Sequence, residues 1–255
     1  MMRITLLGTG TSLGVPMIGC NCHVCSSTDP RDKRLRSSVL LETDTTSILI
    51  DVSPDFRQQA LRANIKKIDA ILITHEHKDH IGGLDDIKPF NYLSHCPIPL
   101  FAEPNVIQII QKDFDYAFRS SENSVPQLVI HEVNYPNNFI INDLTVIPIR
   151  LFHDQLPILG FRIGKFAYLT DFSYIEESEL NKLNGLDTLI IVALRHSPHP
   201  KHLSFSQALE IISRLNPRTA RLTHISHKLG CYTEIAPLCP KNIRPGFDNE
   251  MLTLR

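Results

Sequence analysis

The sequence has almost no net charge. Its 255 residues balance to −1 at pH 7, with a pI near 6.9. With no global basic field, nothing in the charge advertises nucleic acid as the partner. Long apolar runs are also missing, and no stretch reaches the roughly 20 residues needed to span a bilayer. The apolar run Met2 to Leu7 is too short for a signal-peptide core and lacks a cleavage site. A cytoplasmic location with no membrane partner is therefore the default expectation. The segment Gly8 to Pro16 holds three glycines but no Gly-Lys-Ser/Thr, and no helix-forming stretch follows it. That rules against a nucleotide-binding loop. The glycines fit a turn passing close to a buried site. There is no internal repeat, low-complexity tract or linker, and 42% of residues are hydrophobic. A single domain over 1–255 with one substantial core is expected.

Chemistry-bearing residues concentrate in two places. The first is Thr74-His75-Glu76-His77-Lys78-Asp79-His80. It follows Ile68 to Ile73, an apolar stretch that reads as a buried strand, and precedes Gly82 and Gly83. Imidazoles and carboxylates packed this tightly are costly to bury without a metal or other partners. They are the usual ligands of zinc, manganese or iron. His75 and His77 can share one ion, while Asp79 and His80 can turn toward a second.

The second cluster is Cys20-Asn21-Cys22-His23-Val24-Cys25, which holds three of the six cysteines. In a reducing compartment such crowding favours metal over disulfide. Three thiolates on a short loop leave tetrahedral zinc one ligand short. His227, His23 and Cys231 are the candidates for the fourth position. Nearby Arg31, Lys33, Arg34 and Arg36 form a local basic group, expected to be a solvated loop.

Between the clusters the pattern predicts an α/β chain. Strands are expected at Ile4–Leu7, Ser38–Leu41, Ser47–Ile50, Ile98–Ala102, Leu144–Arg150, Leu159–Ile163, Phe166–Leu169, Leu186–Leu194 and Thr219–Thr223. Gly164-Lys165 reads as a two-residue hairpin turn. Helices are expected after Pro54, with Phe56, Ala60 and Leu61 on one face, and over Asn105–Phe118, Glu179–Leu183 and Ser206–Leu215. Ser204 or Ser206 is placed to cap the last of these. The aromatics of 105–118 read as core. The pattern over 85–127 is otherwise irregular.

The H-x-H-x-D-H motif after an apolar strand resembles the metallo-β-lactamase superfamily, and the likeness extends over nearly the whole chain. It is closest to the phosphoribosyl cyclic phosphate diesterase family, with the tRNA 3′-processing endonucleases more distant. The resemblance implies a four-layer αββα sandwich. It also implies that His153, just past a strand end, joins His75 and His77 on one metal. Asp79, His80 and His224 hold the other, and Asp171 bridges. Asp51 becomes a hydrogen-bond acceptor behind these ligands. The verbatim Thr223-His224-Ile225-Ser226-His227 resembles the family segment whose second histidine completes a thiolate zinc site, so His227 is chosen over His23 and Cys231. His202 aligns with a family histidine near the leaving group. The tail Gly246-Phe247-Asp248-Asn249-Glu250-Met251 resembles the family's closing strand, with Asn249 in place of a glycine. The region 85–127 lies where the superfamily often places substrate-facing inserts, but it shows no glycine-rich arm for holding tRNA.

Two catalytic divalent ions, zinc or manganese, and one structural zinc are thus the expected cofactors. Ions about 3.5–4 Å apart can share a hydroxide that attacks a phosphodiester in line. Asp79 and His202 are the expected catalytic side chains, His202 as general acid for the leaving oxygen. The expected function is hydrolysis of a small, perhaps cyclic, phosphodiester. A tRNA-processing nuclease and a non-enzymatic carrier on the same fold are the alternatives. Nucleic acid is not the expected partner, and a homodimer is allowed for.

Overall fold

A computed structural model describes residues 1–119 and 125–254. Two sheets face each other. One has seven strands in the spatial order Glu250–Leu254, Met2–Gly8, Ser38–Glu42, Ser47–Ile50, Ala70–Leu72, Ile98–Ala102 and Leu128–Glu132. The other runs Tyr174–Ile175, Leu144–His153, Leu156–Ile163, Phe166–Leu169, Thr188–Val192, Thr219–Thr223 and Ile243–Pro245, with Phe139–Ile141 added beside Leu144–His153. Each sheet is antiparallel at one end and parallel at the other.

The strands read as continuous apolar runs because both their faces are buried. Side chains alternate across a strand. Ile48 and Ile50 therefore enter the core between the sheets, while Leu49 faces the helices on the other side. Phe166 and Tyr168 likewise point between the sheets, and Ala167 and Leu169 outward. Phe56, Ile81, Phe90, Val106 and Ile110 cover the first sheet, and Leu180, Ala208, Ile212 and Leu215 the second. The result is the expected αββα sandwich.

Several local expectations change. The helix after Pro54 spans Phe56–Ala63, but Leu61 is 66% exposed and Gln59 takes the buried place on its inner face. The helix expected over 105–118 is divided into Pro104–Asp113 and Tyr116–Arg119. Phe114, at the break, is buried in the core as expected. Of the region 85–127, residues 120–124 lie outside the described residues. A strand not expected from the sequence, Ile243–Pro245, pairs parallel beyond Thr219–Thr223. Its three residues carry no periodicity to detect. The basic group is no solvated loop either. Arg34 is 3% exposed and donates to Thr9 Oγ1 at 2.9 Å and to the Gly246 carbonyl, while Arg31 pairs with Asp29 and Arg36 with Asp55.

Two features behave as read. Asn249 turns the chain with φ 67°, and the segment after it pairs antiparallel with the first strand. Ser204 caps Phe205–Leu215 in a reciprocal capping box with Gln207.

Candidate metal centre

Functional residues collect at one rim of the sandwich, where strands of both sheets end. Asp51 follows Ser47–Ile50, the histidine motif follows Ala70–Leu72, His153 ends Leu144–His153, Asp171 follows Phe166–Leu169, and His224 follows Thr219–Thr223. Asp51, Asp171 and His224 all adopt left-handed backbone, with φ of 62°, 55° and 54°. Each costs on the order of 1 kcal/mol, tolerable where the surrounding structure fixes the conformation. Part of the motif is helical. Asp79 and His80 sit on a short helix, Lys78–Ile81. Gly83 then passes so close to Ser53 that a Cβ there would lie 2.0 Å from the Ser53 carbonyl oxygen.

Hydrogen bonds behind the histidines determine which nitrogen faces the centre. The Thr74 hydroxyl donates to Asp51, at 3.0 Å from both carboxylate oxygens. Having spent its proton, it accepts from His75 Nδ1–H at 2.9 Å. The lone pair of His75 Nε2 is thereby turned to His77 Nδ1, 3.1 Å away. Asp51 also accepts from His80 Nδ1 at 2.7 Å. His80 Nε2 then faces Asp171 Oδ2 at 3.0 Å and Asp79 Oδ2 at 3.3 Å, yet makes no hydrogen bond of acceptable geometry. His153 Nδ1 donates to the Asp171 carbonyl at 2.5 Å. Ser37, whose hydroxyl donates to the Gly10 carbonyl, accepts from His224 Nδ1–H at 3.4 Å. That leaves His224 Nε2 facing Asp171 Oδ1 at 3.1 Å and Thr11 Oγ1 at 3.2 Å.

Donor atoms of Asp79, His80, Asp171 and His224 lie within 4.8 Å of one another, as do those of His153, Asp171 and His202. Asp171 belongs to both groups. The expected trio of His75, His77 and His153 is looser, with the His153 ring 5.9 and 5.1 Å from the other two. The bond to the Asp171 carbonyl holds the His153 ring toward Asp171 and His202. His202 stacks on His224 at 4.9 Å, and its Nδ1 stands 3.5 Å from Asp171 Oδ1 without a hydrogen bond.

The electrostatics fit a cation centre. Burial works against charge on His75, His153 and His224 and lowers all three. Burial, with His224 beside it, lowers His202 to about 3. His80 alone is raised well above the imidazole range: burial opposes this, but the carboxylates of Asp171, Asp79 and Asp51 prevail. Burial also opposes charge on Asp171, yet His224 and His80 hold it ionised. Apart from the His80 Nε2–H, the atoms that converge here are acceptors, as ligands of divalent cations are.

The thiolate cluster makes the same argument more simply. The sulfurs of Cys20, Cys22 and Cys25 stand 3.3, 3.4 and 3.4 Å from His227 Nδ1. One ring nitrogen cannot serve three sulfurs, but a tetrahedral ion at their centre can. The backbone N–H of Cys25, then His227, pulls Cys22 down to about 6, while burial pushes Cys25 up to about 11. Three thiolates at once would need a cation among them. His23 and Cys231, the other candidates for the fourth position, are not in this group.

Ser37 and Thr11 were not singled out by sequence reasoning, and Thr74 stood at the head of the histidine motif without a role. Isolated hydroxyl residues carry no motif, and only the folded chain shows what they orient. His199 lies with its ring 5.0 Å from that of His202, and His196 packs edge-on against Phe205.

A beta-lactamase superfamily domain matches residues 46–225. An octanoyltransferase of Porphyromonas gingivalis is 44% identical over 250 residues, covering 97% of this chain and 50% of that protein. The chain thus spans about half the length of that relative. Among solved structures, a diphosphatase from the PhnP family is 41% identical, with a TM-score of 0.92 over 98% of this chain and 96% of the other. Zinc-bound PqqB from Methylobacterium extorquens shares the fold at 17% identity, with a TM-score of 0.81 over 99% and 100% of the two chains. No described helix is long and apolar enough to cross a membrane. The chain belongs to the beta-lactamase superfamily and carries the fold of its metal-dependent hydrolases.

Proposed function

We propose that residues 1–255 act as one unit, a phosphodiesterase with two divalent ions, zinc or manganese, at the strand-end rim. His75, His77 and His153 hold one ion and Asp79, His80 and His224 the other. The observation that carries this reading is that Asp171 lies both with Asp79, His80 and His224 and with His153 and His202, so its carboxylate stands between the second ion's ligands and a histidine of the first, as a bridging ligand requires. Cys20, Cys22, Cys25 and His227 hold a structural zinc. Similarity to a PhnP-family diphosphatase along nearly the full length supports phosphorus chemistry over the other reactions of the superfamily.

When bound, two such ions supply Lewis acidity at the phosphoryl oxygens and an activated water near neutral pH. The chain's own residues do the rest. Asp51 and Thr74 orient His75 and His80 so that their Nε2 atoms point inward. Ser37 does the same for His224 from its Nδ1 side. His202 is neutral among its imidazole neighbours, and an anionic phosphodiester beside it raises its proton affinity. Having taken up a proton from solvent in that complex, the imidazolium would donate it to the leaving oxygen and return to the neutral ring.

The test is hydrolysis of bis-p-nitrophenyl phosphate against p-nitrophenyl phosphate by metal-loaded protein. The diester should turn over and the monoester hardly at all. A preference for the monoester, or no turnover of either, contradicts the assignment. His202→Ala should slow diesters with poor leaving groups more than those releasing p-nitrophenolate, which needs no protonation. Equal losses would remove His202 as the acid.

A further inference from the structure

The two rejected candidates for the fourth thiolate-site ligand meet each other instead. His23, Cys231 and Glu234 bring one nitrogen, one sulfur and one oxygen donor within 4.8 Å of one another. We propose that this trio is a further, solvent-facing site for a divalent cation of the zinc class, set outside the thiolate site.

The placement follows from the same two chain segments. His23 lies inside the loop that supplies Cys20, Cys22 and Cys25, while Cys231 and Glu234 follow His227. Each segment thus offers ligands inward to one site and outward to the other. The outward set is exposed, with the His23 and Glu234 side chains 68% and 55% accessible. His23 Nε2 lies 3.3 Å from Glu234 Oε2, which also accepts the Cys231 backbone N–H at 2.7 Å. Cys231 is held by a buried anchor: Asp32, 1% exposed, accepts the Ser27 hydroxyl at 2.6 Å and the backbone N–H of Tyr232 at 2.7 Å. His23 is exposed and can adjust, while the capping bond from the Cys231 N–H already holds the Glu234 carboxylate beside Cys231.

A sulfur and an imidazole in one set select zinc, cobalt(II) or copper over magnesium and calcium, which prefer oxygen alone. Three protein ligands with a position left to water is a known zinc arrangement. Binding converts the Cys231 thiol to a thiolate and releases its proton to solvent. An ion here staples residues 20–25 to the segment after His227 from the outside, adding stability in proportion to its occupancy.

The inference rests on the thiolate site being filled first, so the test starts from protein dialysed to constant metal content. Zinc titrated calorimetrically should add one ion per chain. Cobalt(II) in its place should give a thiolate-to-metal charge-transfer band with that equivalent. Cys231→Ser should lose the added ion and the band, and His23→Gln and Glu234→Gln should each lose the added ion. All three should retain the dialysis-stable metal, which also shows that they fold. No added ion, or one that survives the three substitutions, overturns the site. Failure of the thiolate-site reading appears separately, as dialysis-stable zinc that Cys22→Ser leaves unchanged.

Discussion

The Asp51 carboxylate accepts from His80 Nδ1 at 2.7 Å, with both side chains fully buried. It also accepts from the Thr74 hydroxyl that orients His75, so one carboxylate sets two neighbouring rings whose centroids lie 4.2 Å apart. Asp51→Asn keeps the shape but weakens this acceptor. Metal affinity at the histidine/aspartate centre should fall by about 10–100-fold. Chelator competition measures it, and an unchanged affinity would mean that the rings are positioned by packing alone.

His224 and His227 lie three residues apart in the sequence yet serve different clusters. His224→Ala should lose activity and a metal from the histidine/aspartate centre while the protein stays well folded. His227→Ala should lose the thiolate zinc and lower the Tm, because a metal bound only by the folded chain stabilises it. Metal analysis and thermal melts of both variants check this. Full metal content and an unchanged Tm in His227→Ala would return the fourth position to another residue.

Gly83 tests how tightly the metal loop is seated. A Cβ there collides with the Ser53 carbonyl, a backbone atom that cannot rotate away. Gly83→Ala should cost about 1–3 kcal/mol, a drop in Tm of roughly 2–4 °C for each kcal/mol in a chain of this size. The melting curve decides it.

Glu179 gives a pH dependence remote from the metals. It is 2% exposed and accepts from the Tyr135 hydroxyl, the Arg150 backbone N–H and Lys182. Burial would raise its pKa, but the bonds from Lys182, Tyr135 and Arg150 outweigh burial and lower it below 4.5. A folded pKa below the unfolded one contributes stability above the unfolded value, and that contribution fades as pH falls through the folded value. Glu179→Gln should therefore be less stable than the parent at pH 7, by about 1–3 kcal/mol. The gap should shrink below about pH 4, where the parent's own carboxylate protonates. Denaturant melts at both pH values measure it.

The legible parts of this chain are those where chemistry is written locally. His75 to His80 and Cys20 to Cys25 are contiguous, and their donor types imply cations without any fold. The strands were legible because burial on both faces leaves unbroken apolar runs, as in Ile48–Ile50 and Leu189–Ile191. His153, Asp171, His202 and His224 were not legible that way. His153, Asp171 and His224 are lone polar residues at strand ends and His202 lies in the loop before Phe205–Leu215, and only likeness to a family singled them out. The hydroxyls of Thr11, Ser37 and Thr74, and the burial of Arg34, depend on contacts between distant segments and leave no local trace. The short strand Ile243–Pro245 and the divided helix around Phe114 were missed because a few residues carry too little periodicity to register.

In the proposed arrangement Asp171 is shared by a pair of ions, and a third ion sits in the thiolate site. Elemental analysis of the reconstituted protein, dialysed free of loosely held metal, tests it most directly when set beside Asp171→Ala. About three ions per chain are expected in the parent. In the variant the thiolate zinc should remain, while the paired ions and diester hydrolysis are lost together. A parent that holds a single ion, or a variant that keeps its full metal content and activity, would contradict it.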